Sequence, residues 1–188
     1  MTFSELVSGG VHDAAPGLIG WTLLRDGVGG RIVEVEAYEE SDPASHSFGG
    51  PRGRNVVMFG EPGRLYVYRS YGIHWCANVV CGRAGHGSAV LLRALEPTQR
   101  LDVMRERRGT TNDRLLCAGP GRLTEALAIT GADNGVDLTR PPFELLPPSR
   151  PAAVTRTTRI GITKAVEKEW RYVEAGSAAV SRKPVVRT

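Results

Sequence analysis

Twenty-three glycines and 12 prolines punctuate this chain of 188 residues, close to one position in five. A backbone interrupted that often cannot run as long helices, so the sequence predicts short strands joined by tight turns, and an all-helical bundle is excluded. A chain of this length buries about two thirds of the surface its unfolded form exposes, enough to fold without disulfides or a structural metal. Hydrophobic residues make up 41% and charged residues 23%, proportions of a globular domain and not of a disordered tail or coiled coil. No composition break, repeat or low-complexity run divides the chain, and the proline-rich stretch Pro141 to Pro151 reads as a surface connection. The expectation is a single domain over residues 1–188.

Period-two alternation places the strands. Residues 31–38 (RIVEVEAY) put Val33, Val35 and Ala37 on one face and Glu34, Glu36 and Tyr38 on the other. Residues 64–70 (RLYVYRS) alternate again and meet Tyr71-Gly72 before IHWCANVVC, a hairpin with Tyr71 at its tip. SAVLLRAL (88–95) reads as a further strand. After Pro97 the spacing changes to three and four in TQRLDVMRERR and in GRLTEALAI, two short helices, the second opened by Gly119-Pro120-Gly121. Arg159 to Ile162 and Tyr172 to Ser181 read as short strands. Together these predict an α+β fold, a curved and mainly antiparallel sheet with a protruding β-hairpin, flanked by helices.

The longest apolar stretches, such as Ala89 to Leu92, fall far short of a membrane span, and MTFSELVSGG lacks the basic start and apolar block of a leader, so a cytoplasmic location is expected. Cys76, Cys81 and Cys117 show no C-x-x-C spacing and no matching histidines, and read as reduced core thiols with no metal site. The net charge is +4, which permits an anionic partner. Glu34, Glu36, Glu39, Glu40 and Asp42 fall within nine positions that hold no Lys or Arg, an acidic island in a basic body.

Several side chains could carry chemistry. Glu36 and Tyr38 share a strand face, and a carboxylate beside an aromatic ring can serve as a base; a solvated acidic face would have the same pattern. Arg93 lies inside an apolar strand, where an unpaired guanidinium is very costly, so a strand-face glutamate or a ligand phosphate must meet it. Tyr66, Tyr68, Tyr71 and Trp75 cluster around one hairpin in a chain with 6% aromatics, which suits stacking on planar bases. Tyr66 and Trp75 fit a core, whereas Tyr71 at a turn tip is placed to insert into something. His46 sits between the acidic island and a Gly-Gly-Pro turn, where a loop histidine with no further role is the plain reading.

The strings GRIVEVEAY, DPASHSFGG, RNVVMFGEPGRLYVYRSYG, CANVV, AVLLRALEP, AGPGRLTEAL, RIGI and WRYVEAGS follow one another from about Ala15 to Ser181 in the order found in the alkyladenine DNA glycosylase family, also called 3-methyladenine or methylpurine DNA glycosylases. The chain resembles that family over nearly its whole length. The resemblance implies that Glu36 activates a water for attack on C1′ of a damaged nucleotide, with Arg93 helping to hold this water and the neighbouring phosphate. It further implies that Tyr38, His46 and Tyr68 wall the pocket for the flipped base, that Asn78 restricts which purines fit, and that Tyr71 fills the gap left in the duplex. Gly49, Arg52 and Ala178 depart from the residues usual at those positions and bear on backbone contacts with DNA.

The implied partner is double-stranded DNA carrying damaged purines, bound by a monomer that needs no cofactor, no metal and no membrane, cytoplasmic and nucleoid-associated if bacterial. The implied reaction is hydrolysis of the N-glycosidic bond of 3-methyladenine and related alkylated or deaminated purines, leaving an abasic site. With only Lys164, Lys168 and Lys183, all late in the chain, a Schiff-base lyase is not expected. Two rival readings compete: a sugar glycosidase using Glu34 and Glu36 as paired acids, and a nucleic-acid binding module without catalysis.

Overall fold

A computed structural model describes residues 1–184, so the last four residues of the expected 1–188 domain lie outside the described residues. Two short helices, α1 (Phe3–Ser8) and α2 (Val11–Leu18), open the chain. Strands β1 (Thr22–Arg25) and β2 (Val28–Tyr38) follow, then a 3-10 turn at Gly53–Phe59 and strands β3 (Leu65–Ser70), β4 (His74–Val80) and β5 (Ala89–Gln99). Helices α3 (Leu101–Arg108) and α4 (Pro120–Ala126) precede the short strands β6 (Phe143–Leu146), β7 (Val154–Thr157) and β8 (Arg171–Glu174). The strands form one curled sheet in the order β3-β4-β5-β2-β1-β6, with β8 pairing β2 and β7 pairing β8. Every strand pairing is antiparallel, as expected of the α+β reading.

Alternation sorts the sheet into two faces. Val35, Ala37, Leu65, Val67, Ala77, Val79, Val90 and Leu92 point into the main core, which they share with α1, α2 and residues of α3 and α4 such as Met104 and Leu123. The intervening residues of β2 to β5 point to the opposite face. There the pairing aligns Tyr66 with Asn78, Asn78 with Leu91, and Leu91 with Glu36, a single row across four strands.

Several expectations are corrected. The even alternation of 31–38 breaks at a β-bulge around Val33 and Glu34; an extra residue there turns Val33 away from Val35 and Ala37 and into a small cluster with Ala94, Val173, Ala179 and Val180. The strand read as 88–95 runs on through Pro97 to Gln99, because β2 extends to Val28 and offers it partners. Arg159 to Ile162 is a bend and not a strand, and the last strand ends at Glu174 instead of reaching Ser181. The proline-rich connection holds β6, paired with β1. All three cysteines are free and buried, as expected, and no residue cluster with metal-ligand character occurs among the described residues. No described helix is long and apolar enough to cross a membrane.

Two turns reveal why the hairpins close. Asp26 and Gly27 both adopt left-handed backbone (φ 51° and 73°), the type I′ geometry that joins β1 to β2 with the twist strands require. Tyr71 and Gly72 are likewise left-handed between β3 and β4 (φ 50° and 69°), but Ser70 pairs with His74 there, so Ile73 is a third loop residue. At the centre of the sheet, Gly30 passes so close to β5 that a Cβ would sit 2.0 Å from the Glu96 carbonyl oxygen. Gly30→Ala must therefore push two hydrogen-bonded strands apart, and it should cost about 1–3 kcal/mol, a fall in Tm of roughly 2–4 °C per kcal/mol, measured by thermal unfolding.

Candidate active site

Three buried acids and three buried arginines lie along β2 and its neighbours. Glu34, fully buried, accepts from Arg93 Nε (2.8 Å), Arg171 Nε (2.8 Å), the Ser181 backbone N–H (2.5 Å) and the Ser181 hydroxyl (2.7 Å). Burial alone would raise its pKa; the hydrogen bond from Arg171 and the charges of Arg93 and Arg171 more than reverse this and hold the carboxyl below its ordinary value of 4.5. Asp42 pairs with Arg159, both side chains being fully buried. Most of the acidic island is thus not a surface patch: Glu34, Glu36 and Asp42 are enclosed within the fold. The requirement that something negative meet Arg93 is fulfilled by glutamates.

Glu36 occupies the end of the cross-strand row. Its Oε1 accepts from the Ile160 backbone N–H (2.8 Å), and its Oε2 accepts from the Tyr38 hydroxyl (2.8 Å) and lies 3.3 Å from an Arg93 terminal nitrogen. The carboxylate is itself buried, yet Tyr38, Arg93 and Ile160 all line one cavity of about 650 Å³. The solvated acidic face, open as an alternative in the sequence, does not form.

The walls of this cavity are aromatic. Tyr66 and Tyr68 stack (centroids 5.6 Å), and His46 meets Tyr68 edge-on at 4.4 Å while its Nδ1 lies 3.1 Å from the Tyr66 hydroxyl. Asn78 is buried, donates to the Tyr66 carbonyl (3.1 Å) and lines the cavity floor. Burial, with a contribution from the Arg54 cation, holds His46 below its ordinary 6.5, so the ring is neutral at neutral pH. Burial likewise raises Tyr66 to about 12, and Tyr38 and Tyr68 upward, so the phenols stay protonated. Tyr71, at the hairpin tip, belongs to the rim and is 90% exposed.

All seven candidate residues, Glu36, Tyr38, His46, Tyr68, Tyr71, Asn78 and Arg93, therefore lie in or directly against one cavity. Several neighbours were not anticipated. Tyr66, read as core, also lines the cavity, as do Arg54, Met58, Cys76 and the segment Ile160 to Lys164. Arg171 and Ser181, which surround Glu34, carry only a faint signal: an arginine beside apolar residues in WRYVEAGS, as in the strand of Arg93. Of the departures, Gly49 (φ 82°) and Arg52 sit together in one turn, where the Arg52 guanidinium donates to the Gly49 carbonyl (3.1 Å). Ala178 accepts from Arg114 Nε (2.8 Å).

A curled antiparallel sheet carrying a buried carboxylate beneath an aromatic cavity, with an exposed tyrosine on the adjoining hairpin, agrees with comparison to known proteins. Residues 5–178 match the sequence profile of methylpurine-DNA glycosylase. The chain is 59% identical over 170 residues to a protein of Nitrosospira multiformis (90% of this chain, 88% of the relative). It is 58% identical over 172 residues to one of Rhodopseudomonas palustris (92% and 86%) and 54% identical over 171 residues to one of Agrobacterium fabrum (91% and 87%). All three relatives are provisionally named 3-methyladenine DNA glycosylases. The chain belongs to the methylpurine-DNA glycosylase family.

The Glu34 cluster generates a stability prediction. Removing the carboxylate takes away the acid that Arg171 pairs with and leaves Arg93 with Glu36 alone, so Glu34→Ala should lower the unfolding free energy by about 3–5 kcal/mol. Because the folded-state pKa lies below 4.5, the ionised group contributes stability above that pH and loses it as pH falls through the folded value. Denaturant unfolding of parent and Glu34→Gln should differ most near neutral pH, with the difference shrinking under acid conditions; a difference independent of pH would contradict this.

Proposed function

We propose that this protein is a monofunctional DNA glycosylase that extrudes a damaged purine from duplex DNA, stacks it in the aromatic cavity and hydrolyses its N-glycosidic bond with a water activated by Glu36. The observation that carries the reading is the Glu36 carboxylate, held at both oxygens by Ile160, Tyr38 and Arg93 directly under a cavity walled by Tyr38, His46, Tyr66 and Tyr68. A general base must be rigidly aimed and close to the reacting atom, and three fixed donors supply the aim. The water would stand on the cavity side of the carboxylate, between Arg93 and Ile160, where a departing purine exposes C1′ as an oxocarbenium-like centre. Its proton passes to Glu36, its oxygen bonds to C1′, and the electrons of the C1′–N bond leave with the base.

The walls suit the substrate. Alkylation at a purine ring nitrogen places positive charge on the base, and neutral aromatic faces attract such a cation by on the order of 1–2 kcal/mol when desolvated. A neutral His46 adds no repulsion. Asn78 at the floor is placed to limit the purine edges that fit, and Tyr71 is placed to occupy the vacated stack. Both roles follow the family resemblance. The substrate partner is then double-stranded DNA bound by a monomer whose single domain spans the chain. The paired-acid rival finds no support, since Glu34 is enclosed by four donors and does not line the cavity. A purely binding module has no use for a carboxylate aimed under its pocket.

Two experiments test the reading. Glu36→Gln, which keeps the shape, should abolish base release from duplexes carrying hypoxanthine or 3-methyladenine, read by alkaline cleavage at abasic sites. Lesion-duplex affinity should stay within about tenfold, roughly 1.4 kcal/mol. Retained excision would reject the base assignment. Tyr71→Ala should change unfolding free energy by only about 0.5 kcal/mol, as expected of an exposed tip, while slowing excision most for well-paired lesions and least for mismatched ones, because filling the gap offsets an unstacking cost of a few kcal/mol. Equal slowing of both lesion classes would mean that Tyr71 is not a wedge.

A further inference from the structure

Arg159 is absent from the cavity lining, yet it touches the site's supports on every side. Its guanidinium carbon lies 4.7 Å over the Tyr38 ring and 5.0 Å over the Trp170 ring, within cation–π range of both. One terminal nitrogen donates to the Ala37 carbonyl (3.1 Å) and to Asp42; the other donates to Asp42 Oδ1 (3.1 Å). Ala37 is the residue between Glu36 and Tyr38. The next residue after Arg159 sends its backbone N–H to Glu36 Oε1. The arginine therefore grips β2 by its backbone at the point where the neighbouring amide meets the carboxylate.

We propose that Arg159, held by Asp42, is a positioning residue for the reaction: it fixes the bend that presents the Ile160 N–H to Glu36 and backs the Tyr38 ring on its face away from the cavity. The proposal rests on the reading of Glu36 as the base. Both Glu36 oxygens need a donor to stop rotation of the carboxylate. Oε2 has donors from its own strand and from β5, whereas Oε1 depends on a bend, Arg159 to Ile162, that belongs to no strand. Without an anchor at its first residue, that bend has no reason to keep its N–H within 2.8 Å of the carboxylate. Lysine could not replace the anchor, since an ammonium lacks the flat fork that bridges Ala37, Asp42 and two rings at once.

The test is a double-mutant cycle with Arg159→Lys, which leaves a positive charge for Asp42, and an amide-to-ester exchange at Ile160, which deletes the N–H donor and keeps the side chain that lines the cavity. Each single variant should slow single-turnover excision by about tenfold or more, the cost of a misplaced reacting group, while lesion-duplex Kd stays within about threefold. If Arg159 acts through the Ile160 amide, the double variant should be no slower than the slower single. Multiplying effects, or an unchanged rate in folded Arg159→Lys, would overturn the proposal. Trp170→Leu, at a half-buried position, loosens Arg159 while leaving the Asp42 pair in place, and covers the case in which Arg159→Lys does not fold. Hydrogen exchange of the Ile160 amide should then accelerate by about fivefold or more, and unchanged exchange would sink the idea whether or not excision is seen. Parental protein and Glu36→Gln run alongside: equal inactivity of both on every damaged purine would refute the glycosylase reading, and the exchange measurement would still decide the role of Arg159.

Discussion

Charge buried without water must find charge, and in this protein that requirement organises the whole site face of the sheet. Glu34 sits at the centre of the requirement. It draws Arg93 from β5, Arg171 from β8 and the backbone of Ser181 onto one carboxylate. Arg93 then reaches Glu36, and Asp42 draws Arg159 and its bend against β2. Each arginine arrives from a different stretch of chain, so the pairs act as cross-links among segments that local propensity would leave independent. Such pairs are poor stabilisers compared with well-packed apolar groups, because desolvation cancels much of their attraction. What they do provide here is geometry: three carboxylates and three guanidiniums held in defined pairs.

The cavity adds the complementary chemistry. Its aromatic walls are kept electrically neutral by burial, and the single carboxylate beneath them is fixed at both oxygens. The family to which the chain belongs acts, on its name, at methylated purines. On the proposed reading, neutral flat walls above one carboxylate suit a cationic ring and positive charge developing at the sugar beneath it.

Much of this was legible in the residues. Alternation in RIVEVEAY put Glu36 and Tyr38 on one face of their strand and alternation in RLYVYRS put Tyr66 and Tyr68 on one face of theirs, with Tyr66 read as core; Arg93 in an apolar strand required either a glutamate or a ligand phosphate, and Glu34 and Glu36 meet it. The bulge at Val33 escaped because one extra residue in a strand leaves the local pattern of valines and glutamates looking regular; only the partner strand exposes the slip. Asp26-Gly27, a strong turn signal, announces the β1–β2 hairpin and could have revealed it. The partners of Glu34 and Asp42 were not readable, since Arg171 and Arg159 lie more than a hundred residues away and nothing local selects one arginine among 21. The RIGI segment looked strand-like by composition, but its backbone N–H at Ile160 is directed to a side chain and not to a ladder.

The row Tyr66, Asn78, Leu91, Glu36 has a consequence for how such a site can change over time. Neighbouring strands place these four side chains at a spacing set by backbone hydrogen bonds and not by the side chains themselves. A deletion of one residue within any of these strands would turn its contribution over to the oily side while bringing a valine or alanine to the cavity. Small length changes in this floor are therefore all-or-nothing, whereas the turns around it, with Gly49, Arg52 and the hairpin tip, can vary in length and composition without touching the row. Insertions and deletions therefore have room at the rim, whereas the floor can change only by substitution.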